Sequence, residues 1–117
     1  MIIGAHSIIY SDRSDEVRRF LGDVLGFRNV DVGGGWLVFA MPPAELAVHP
    51  AEGHPDLQGR HEIYLLCDNL DETMTELRAK GVEFGPIQQE QWGAVSSIKL
   101  PDGSDLPIYE PKHPLAI

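Results

Sequence analysis

The chain carries a weak internal repeat, which constrains the fold more than any other feature of the sequence. Residues recur at an offset of 56, pairing His6 with Glu62, Asp15 with Asp71 and Leu21 with Leu77. An offset of 60 pairs residues 45 to 49 with residues 105 to 109. This spacing predicts two similar units, about 1–55 and about 60–117. Because each unit alone is marginal for an independent core, we expect a single domain over 1–117.

Each unit contains one predicted helix. Apolar residues recur at helical spacing within residues 14 to 25, and Gly26 then provides a C-terminal stop. In the second unit, Asn69 followed by Glu72 is typical of a capping box and precedes a helix predicted over about 70–80. The two helices therefore stand at corresponding points of the repeat.

Apolar segments before and after each helix predict strands. They lie at residues 2 to 11, 27 to 32, 36 to 41, 45 to 49, 61 to 67, 82 to 87, 94 to 100 and 106 to 110. Three glycines at 33 to 35 predict a hairpin turn, and the polar run at 88 to 91 predicts a mobile loop. The pattern is a βαβββ unit present twice, so the predicted fold class is α+β.

Charge and cysteine content limit the partners and the compartment. Asp and Glu number 18 against 9 Lys and Arg, and the formal charge of -9 would repel phosphate backbones and anionic membranes. No apolar run approaches the ~18 residues needed to cross a bilayer, and the first residues lack a signal-peptide pattern. Cys67 is the single cysteine, which excludes an intrachain disulfide. We expect a soluble, cytoplasmic protein without nucleic-acid or membrane partners.

Strand alternation assigns polar side chains to one side of the predicted sheet. Leu106 and Ile108 are expected to face the helices, which leaves Pro107 and Tyr109 on the opposite side. The other residues expected on that opposite side are His6, Ile8, Tyr10, Glu45, Ala47, His49, Glu62, Tyr64 and Leu66. Residues with useful chemistry from both units therefore share one side of the sheet.

Three stretches of the chain resemble the vicinal oxygen chelate superfamily, which comprises glyoxalases, bleomycin-resistance proteins and extradiol dioxygenases. They read HSIIYSDRSDEVRRFLGDVLGF from His6, EIYLLCDNLDETMTELRAKGVEF from Glu62 and LPDGSDLPIYEP from Leu100. The resemblance implies two βαβββ modules that form a curved mixed sheet around a cleft, with the helices on the outer face. It constrains activity less than fold, because this fold hosts unrelated reactions.

The resemblance also implies a metal centre, whose four ligand positions fall on His6, Ala47, Glu62 and Pro107. Alanine and proline side chains cannot bind a metal, so the superfamily's set of two histidines and two glutamates is not available. His49 lies two residues beyond Ala47 on the same face, about 7 Å along the strand. The predicted ligands of a divalent Fe, Mn, Zn or Ni ion, which would polarise a substrate oxygen, are therefore His6, His49 and Glu62.

Further side chains are alternatives or additions at this site. Alternation puts His61 and Glu110 on the helix-facing side, but each lies at a strand end, where the alternation often fails, and a bulge would exchange Glu62 for His61. The residues predicted to line an apolar pocket for the substrate or ligand are Trp36, Trp92 and Tyr109.

Two functions from different classes remain open. The first is a metal-dependent enzyme of the glyoxalase or extradiol dioxygenase type, with lyase, isomerase or dioxygenase chemistry on a small oxygenated substrate. The alternative is a metal-free small-molecule binding protein of the bleomycin-resistance type. Ala47 and Pro107 favour this alternative, and the negative net charge would suit a cationic ligand. Because exposed sheet edges are usually paired or covered, we also expect a symmetric homodimer.

Overall fold

The computed structural model describes residues 7–9, 11–45, 47, 52–58 and 60–115. In chain order the elements are α1 (Ser14–Arg19), a π-helical turn (Phe20–Val24), β1 (Asn29–Asp31), β2 (Leu37–Phe39), a 3-10 turn (Pro55–Leu57), β3 (Leu65–Leu66), α2 (Leu70–Arg78), β4 (Gln88–Glu90), β5 (Gly93–Lys99) and β6 (Asp105–Pro111). The fold class is α+β, as predicted. Over these residues, no helix has the length and apolar character needed to span a membrane.

The first helix begins at Ser14 and continues directly into the π-helical turn. The helix predicted over 14 to 25 is therefore confirmed to within one residue. The wider turn is marked by the backbone amide of Leu25, which donates to the carbonyl of Phe20 at 3.1 Å. Gly26 follows with a φ of 74°, a left-handed conformation that glycine adopts at low cost and that ends the helix.

The second helix begins after Asn69, whose side-chain oxygen accepts the backbone amide of Glu72 at 2.9 Å. This is the N-cap bond that the sequence predicts. A second acceptor at this helix N-terminus comes from β6, where Glu110 Oε1 accepts a hydrogen bond from the backbone amide of Leu70 at 2.9 Å. The helix ends at Arg78, two residues before the predicted end, which is within the ordinary variation of helix boundaries.

The strands of the described residues form two sheets. The first is the antiparallel hairpin of β1 and β2, with Val30 opposite Val38, and the three glycines form its turn as predicted. The second has the strand order β3-β6-β5-β4, with β3 parallel to β6 and the other pairs antiparallel. The second unit thus has the order strand, helix and three strands around a mixed sheet.

The core lies between the helices and one side of the four-stranded sheet. Its buried apolar residues are Val17, Leu70, Met74, Val82, Ala94, Ile98, Leu100, Leu106 and Ile108. The alternation predicted along the last strand is confirmed, since Leu106 and Ile108 are buried while Pro107 and Tyr109 are half-buried. The sheet therefore has a helix-facing side and an open side, and Tyr109 belongs to the open side.

Several predicted strands are shorter in the structure or fall outside the described residues. The strand predicted over 61 to 67 is reduced to Leu65–Leu66, the part that pairs with β6. Most of the strand predicted over 2 to 11 lies outside the described residues, as does most of the strand predicted over 45 to 49. Residues 7 to 9, together with Glu45 and Ala47, have irregular backbone.

The prediction of a loop over residues 88 to 91 is wrong for the first three of these residues. Gln88–Glu90 forms β4 and pairs antiparallel with β5, with Gln88 opposite Val95. All three residues of β4 are exposed, and β4 is the edge of its sheet. A polar edge strand carries no apolar alternation, so the sequence pattern does not distinguish it from a loop.

Candidate functional site

Strand register brings three aromatic residues together on the open side of the four-stranded sheet. Tyr109 lies on β6, opposite Leu66 of β3 on one flank and Val95 of β5 on the other. Tyr64 precedes β3, and Trp92 lies in the turn that precedes β5. Residues from three separate segments therefore meet around one tyrosine.

These three residues, Tyr64, Trp92 and Tyr109, form what we call the aromatic cluster. The rings of Tyr64 and Tyr109 are T-shaped, with centroids 5.8 Å apart and an interplanar angle of 86°. The rings of Trp92 and Tyr109 are also T-shaped, at 5.4 Å and 79°. Such pairs contribute about 0.5–1.5 kcal/mol beyond the area that they bury. Tyr64 and Trp92 nevertheless remain 40% and 45% exposed, so the cluster presents aromatic surface to solvent.

The backbone around Gly93 fixes Trp92 beside β6. A Cβ atom at Gly93 would lie 2.4 Å from the carbonyl oxygen of Glu110, a distance that side chains do not tolerate. The backbone amide of Lys112 donates to the carbonyl of Trp92 at 2.8 Å. The absence of a side chain at Gly93 therefore permits the close strand approach that brings the indole to Tyr109.

Carboxylates border the aromatic cluster. The hydroxyl of Tyr64 donates to Glu62 Oε2 at 3.5 Å, at the long end of hydrogen-bond range. Burial and then the charge of Glu62 raise the pKa of Tyr64, while burial and then the charge of Glu45 raise the pKa of Tyr109. Both tyrosines consequently stay neutral hydrogen-bond donors at neutral pH, in surroundings that are negatively charged.

Trp36 lies in the β1–β2 hairpin and has a different neighbour. The guanidinium carbon of Arg18 stands 5.1 Å from the centroid of the Trp36 ring, which is a cation–π arrangement. The side chain is 60% exposed. Of the three predicted pocket residues, the structure therefore brings together Trp92 and Tyr109 and places Trp36 against α1.

The comparisons with known proteins agree with this fold. The family model described as Glyoxalase/Bleomycin resistance protein/Dioxygenase superfamily matches residues 4–111. The chain belongs to this superfamily. A search of the curated proteins found no match.

Solved structures of the superfamily fold resemble the chain along most of its length. TnmS3, an antibiotic binding protein from Streptomyces sp. CB03234, is 23% identical with a TM-score of 0.62, covering 96% of this chain and 99% of its own. Lactoylglutathione lyase from Agrobacterium tumefaciens is 17% identical with a TM-score of 0.65, covering 92% of each chain. A superfamily member from Sphaerobacter thermophilus is 25% identical with a TM-score of 0.58, covering 93% and 98%. These neighbours include both an enzyme and a binding protein.

Two of the four positions at which the resemblance implies metal ligands carry residues that cannot bind a metal. Ala47 is exposed and Pro107 lies on β6, and neither side chain carries a donor atom for a metal. His6 and His49 lie outside the described residues, which leaves Glu62 as the predicted ligand whose position is known. Across the described ranges, no group of three or more His, Cys, Asp or Glu side chains is placed to hold a metal ion. Ala47 and Pro107 therefore cannot supply two of the four ligands that the resemblance implies.

The two alternative ligands have separate placements. Glu110 faces the helices and accepts the amide of Leu70, on the side of the sheet opposite Tyr109. His61 is exposed in the irregular segment before β3. Glu110 is therefore a helix-capping residue, and the alternation expected for it holds to the end of the strand.

Sequence reasoning did not select two residues that the structure brings to Tyr109. Strand alternation predicts Tyr64 on the same side of the sheet as Tyr109, and this is the signal in the sequence that points to Tyr64 as a site residue. His113 stands in a proline-containing segment after β6, with its ring 6.2 Å from that of Tyr109. Nothing in the local sequence predicts that contact, because it depends on where the chain turns after the sheet.

Proposed function

We propose that this protein is a small-molecule binding protein that holds a planar ligand against the aromatic cluster. The observation that carries the proposal is the pair of T-shaped contacts that join Tyr64, Tyr109 and Trp92 on the open side of the sheet. Rings held edge to face expose flat surfaces, and a planar ligand gains both apolar contact and ring stacking against them.

The partial exposure of the rings supports a binding role over a purely structural one. A large side chain that only fills a core is buried, as those of Met74 and Ile98 are in this protein. Tyr64 and Trp92 instead keep 40% and 45% of their surface open. TnmS3, named an antibiotic binding protein, has the same fold over nearly the whole chain, which adds support to a ligand-binding function.

The charge around the cluster favours a cationic ligand. Glu62 contacts Tyr64, and Glu45 is close enough to Tyr109 to raise its pKa. A cation over the face of a tyrosine or tryptophan ring is attracted by the ring as well as by nearby carboxylates. The net charge of -9 adds a long-range attraction of the same sign.

A metal-dependent enzyme is the alternative function. It would place a divalent Fe, Mn, Zn or Ni ion on His6, His49 and Glu62, and the position of Glu62 beside Tyr64 is the observation in its favour. Ala47 and Pro107 count against the superfamily's own ligand set. We therefore propose ligand binding first. The experiment described next has one result that would favour the metal-dependent reaction instead.

We also propose that the protein forms a symmetric homodimer. The hairpin of β1 and β2 exposes Val30, Val32 and Trp36, and exposed apolar side chains grouped on a small sheet are typical of a surface that a partner covers. A second copy of the chain is the partner that requires no further component.

The experiment uses two probes that share a planar ring system, the cation N-methylacridinium and the neutral N-methylacridone. We expect saturable binding of both, tighter for the cation, with affinities unchanged by a metal chelator. A parallel titration adds Fe(II), Mn(II), Zn(II) or Ni(II) to the wild type and to Glu62→Gln at two pH values. Metal binding that is stronger in the wild type and weakens at lower pH, together with no probe binding, would reject this proposal for the metal-dependent alternative.

A further inference from the structure

The segment after β6 carries a fourth ring to the edge of the aromatic cluster. The strand ends at Pro111, and the amide of Lys112 donates to the carbonyl of Trp92, which holds the start of the segment against the β4–β5 turn. The ring of His113 then lies 6.2 Å from that of Tyr109, tilted by 40°. His113 is thus held near the cluster by backbone contacts on its N-terminal side.

Hydrogen bonding assigns the tautomer of the His113 ring. Nδ1 lies 2.8 Å from the carbonyl oxygen of Pro114, and because a carbonyl oxygen only accepts, Nδ1 carries the proton and donates. In the neutral ring Nε2 is then the acceptor, and the Tyr109 hydroxyl stands 3.5 Å from it. Protonation would place a second N–H and a positive charge opposite that hydroxyl. The neutral ring can therefore accept the Tyr109 hydroxyl proton at Nε2, whereas the protonated ring can donate to the hydroxyl oxygen and carries a positive charge.

We propose that His113 is a specificity-determining residue of the aromatic site, which adds ring contact for a planar ligand when neutral and weakens the binding of a cationic ligand when protonated. This inference rests on the proposed function, because it concerns the ligand of the same site. It gives the protein a selectivity between cationic and neutral ligands that changes with pH.

The other charged groups near Tyr109 come from three further positions of the chain. Glu45 and, through Tyr64, Glu62 are carboxylates, and Lys112 precedes His113 in the chain. Carboxylates and lysines ordinarily titrate well outside the interval between about pH 5.5 and about pH 8, whereas histidine ordinarily titrates within it. The raised pKa values of Tyr64 and Tyr109 keep those hydroxyls neutral there as well. Among the ring contacts of the described residues, His113 is the histidine that reaches Tyr109.

The test measures the affinity of N-methylacridinium and N-methylacridone at about pH 8 and about pH 5.5. We expect wild-type affinity for the cation to fall about three- to tenfold at the lower pH, the effect of one added charge near the ligand in a solvated site. Affinity for the neutral probe should change by less than about twofold. The change in the ratio of the two affinities isolates the charge of the protein from any general effect of pH.

Three variants separate the roles of ring and charge. His113→Phe keeps a ring without a titrating nitrogen, so its affinity for the cation should be the same at both pH values. His113→Ala removes the ring, so it should bind both probes more weakly than His113→Phe at the higher pH. His54→Phe replaces an exposed histidine of the 3-10 turn region and should keep the wild-type pH response.

Two results would overturn the inference, and they are distinguishable from failure of the proposed function. A wild-type pH response that persists in His113→Phe would assign the titration to another group. Equal binding by His113→Ala and His113→Phe at the higher pH would show that the ring at position 113 does not contact the ligand. Absence of binding by either probe to the wild type at the higher pH would instead reject the proposed function, and the inference with it.

Discussion

Tyr109 and Glu110 are consecutive residues of β6 whose side chains act on opposite sides of the sheet. Tyr109 contacts the rings of Tyr64 and Trp92 on the open side. Glu110 faces the helices and accepts the first backbone amide of α2, from Leu70. One strand therefore positions both the aromatic site and the start of a helix, and strand alternation keeps the two roles apart.

Removal of the Glu110 cap should cost stability without changing the site. We expect Glu110→Ala to lower the free energy of unfolding by about 1 kcal/mol, because an amide at the N-terminus of α2 loses its acceptor. Glu110→Gln, which keeps an acceptor oxygen, should lose less. Urea denaturation measures the effect, with Glu83→Ala as an exposed control outside the cap. A loss in Glu110→Ala no larger than in Glu83→Ala would contradict the assignment.

The carboxylate of Glu62 should select for charge in the ligand. We expect Glu62→Gln to weaken the binding of N-methylacridinium about three- to tenfold at neutral pH, since one negative charge near the ligand is lost. Binding of the neutral N-methylacridone should be unchanged. Calorimetric titration of both probes measures this, and Glu83→Gln, with the same charge change at an exposed position, is the matched control. An equal loss for both probes would mean that Glu62 acts on structure and not on charge.

The pattern of success and failure of the sequence predictions has a physical cause. Both helices were predicted closely because their signals are local, such as the Asn69 cap and the glycine that follows each helix. Alternation along β6 also placed Tyr109 correctly, because a buried strand of ordinary geometry fixes the side of each residue. The contact of Tyr64 with Tyr109 depends on the register of β3 with β6, across more than forty residues of chain, and no local pattern specifies it.

Acid should remove the contribution that the Asp102 carboxylate, in the loop between β5 and β6, makes to the stability of the fold. The hydroxyls of Ser104 and Ser11 donate to Asp102, which lowers the pKa of its carboxyl from 3.8 to about 2. Because the pKa is lower in the folded state, the carboxylate stabilises the fold fully above about pH 4, and this contribution is lost as the pH falls toward about 2.

The stability difference between wild type and Asp102→Asn should therefore shrink as pH falls through that interval. Thermal or urea unfolding across the acid range measures it. Asp23→Asn, at an exposed position of the π-helical turn, is the control for a general effect of removing a carboxylate. A difference that stays constant from about pH 5 to about pH 2 would contradict the role of Asp102.

The homodimer should depend on the exposed hairpin. We expect sedimentation of the wild type at micromolar concentration to give about twice the chain mass of 12.9 kDa. Val32→Asp places a charge on the hairpin and should shift the protein to the monomer, while Leu57→Asp, at another exposed apolar position, should not. A wild type that sediments as a monomer, or equal behaviour of both variants, would contradict this interface.

The most direct test of the central claim compares two tryptophans. Trp92 belongs to the aromatic cluster, whereas Trp36 lies against Arg18, and both are exposed enough to tolerate truncation. Calorimetry with N-methylacridone should show that Trp92→Ala loses about 1–3 kcal/mol of binding free energy, from lost apolar contact and ring stacking, while Trp36→Ala binds like the wild type. Equal affinities for wild type and Trp92→Ala, or a larger loss in Trp36→Ala, would contradict the claim that the aromatic cluster is the ligand site.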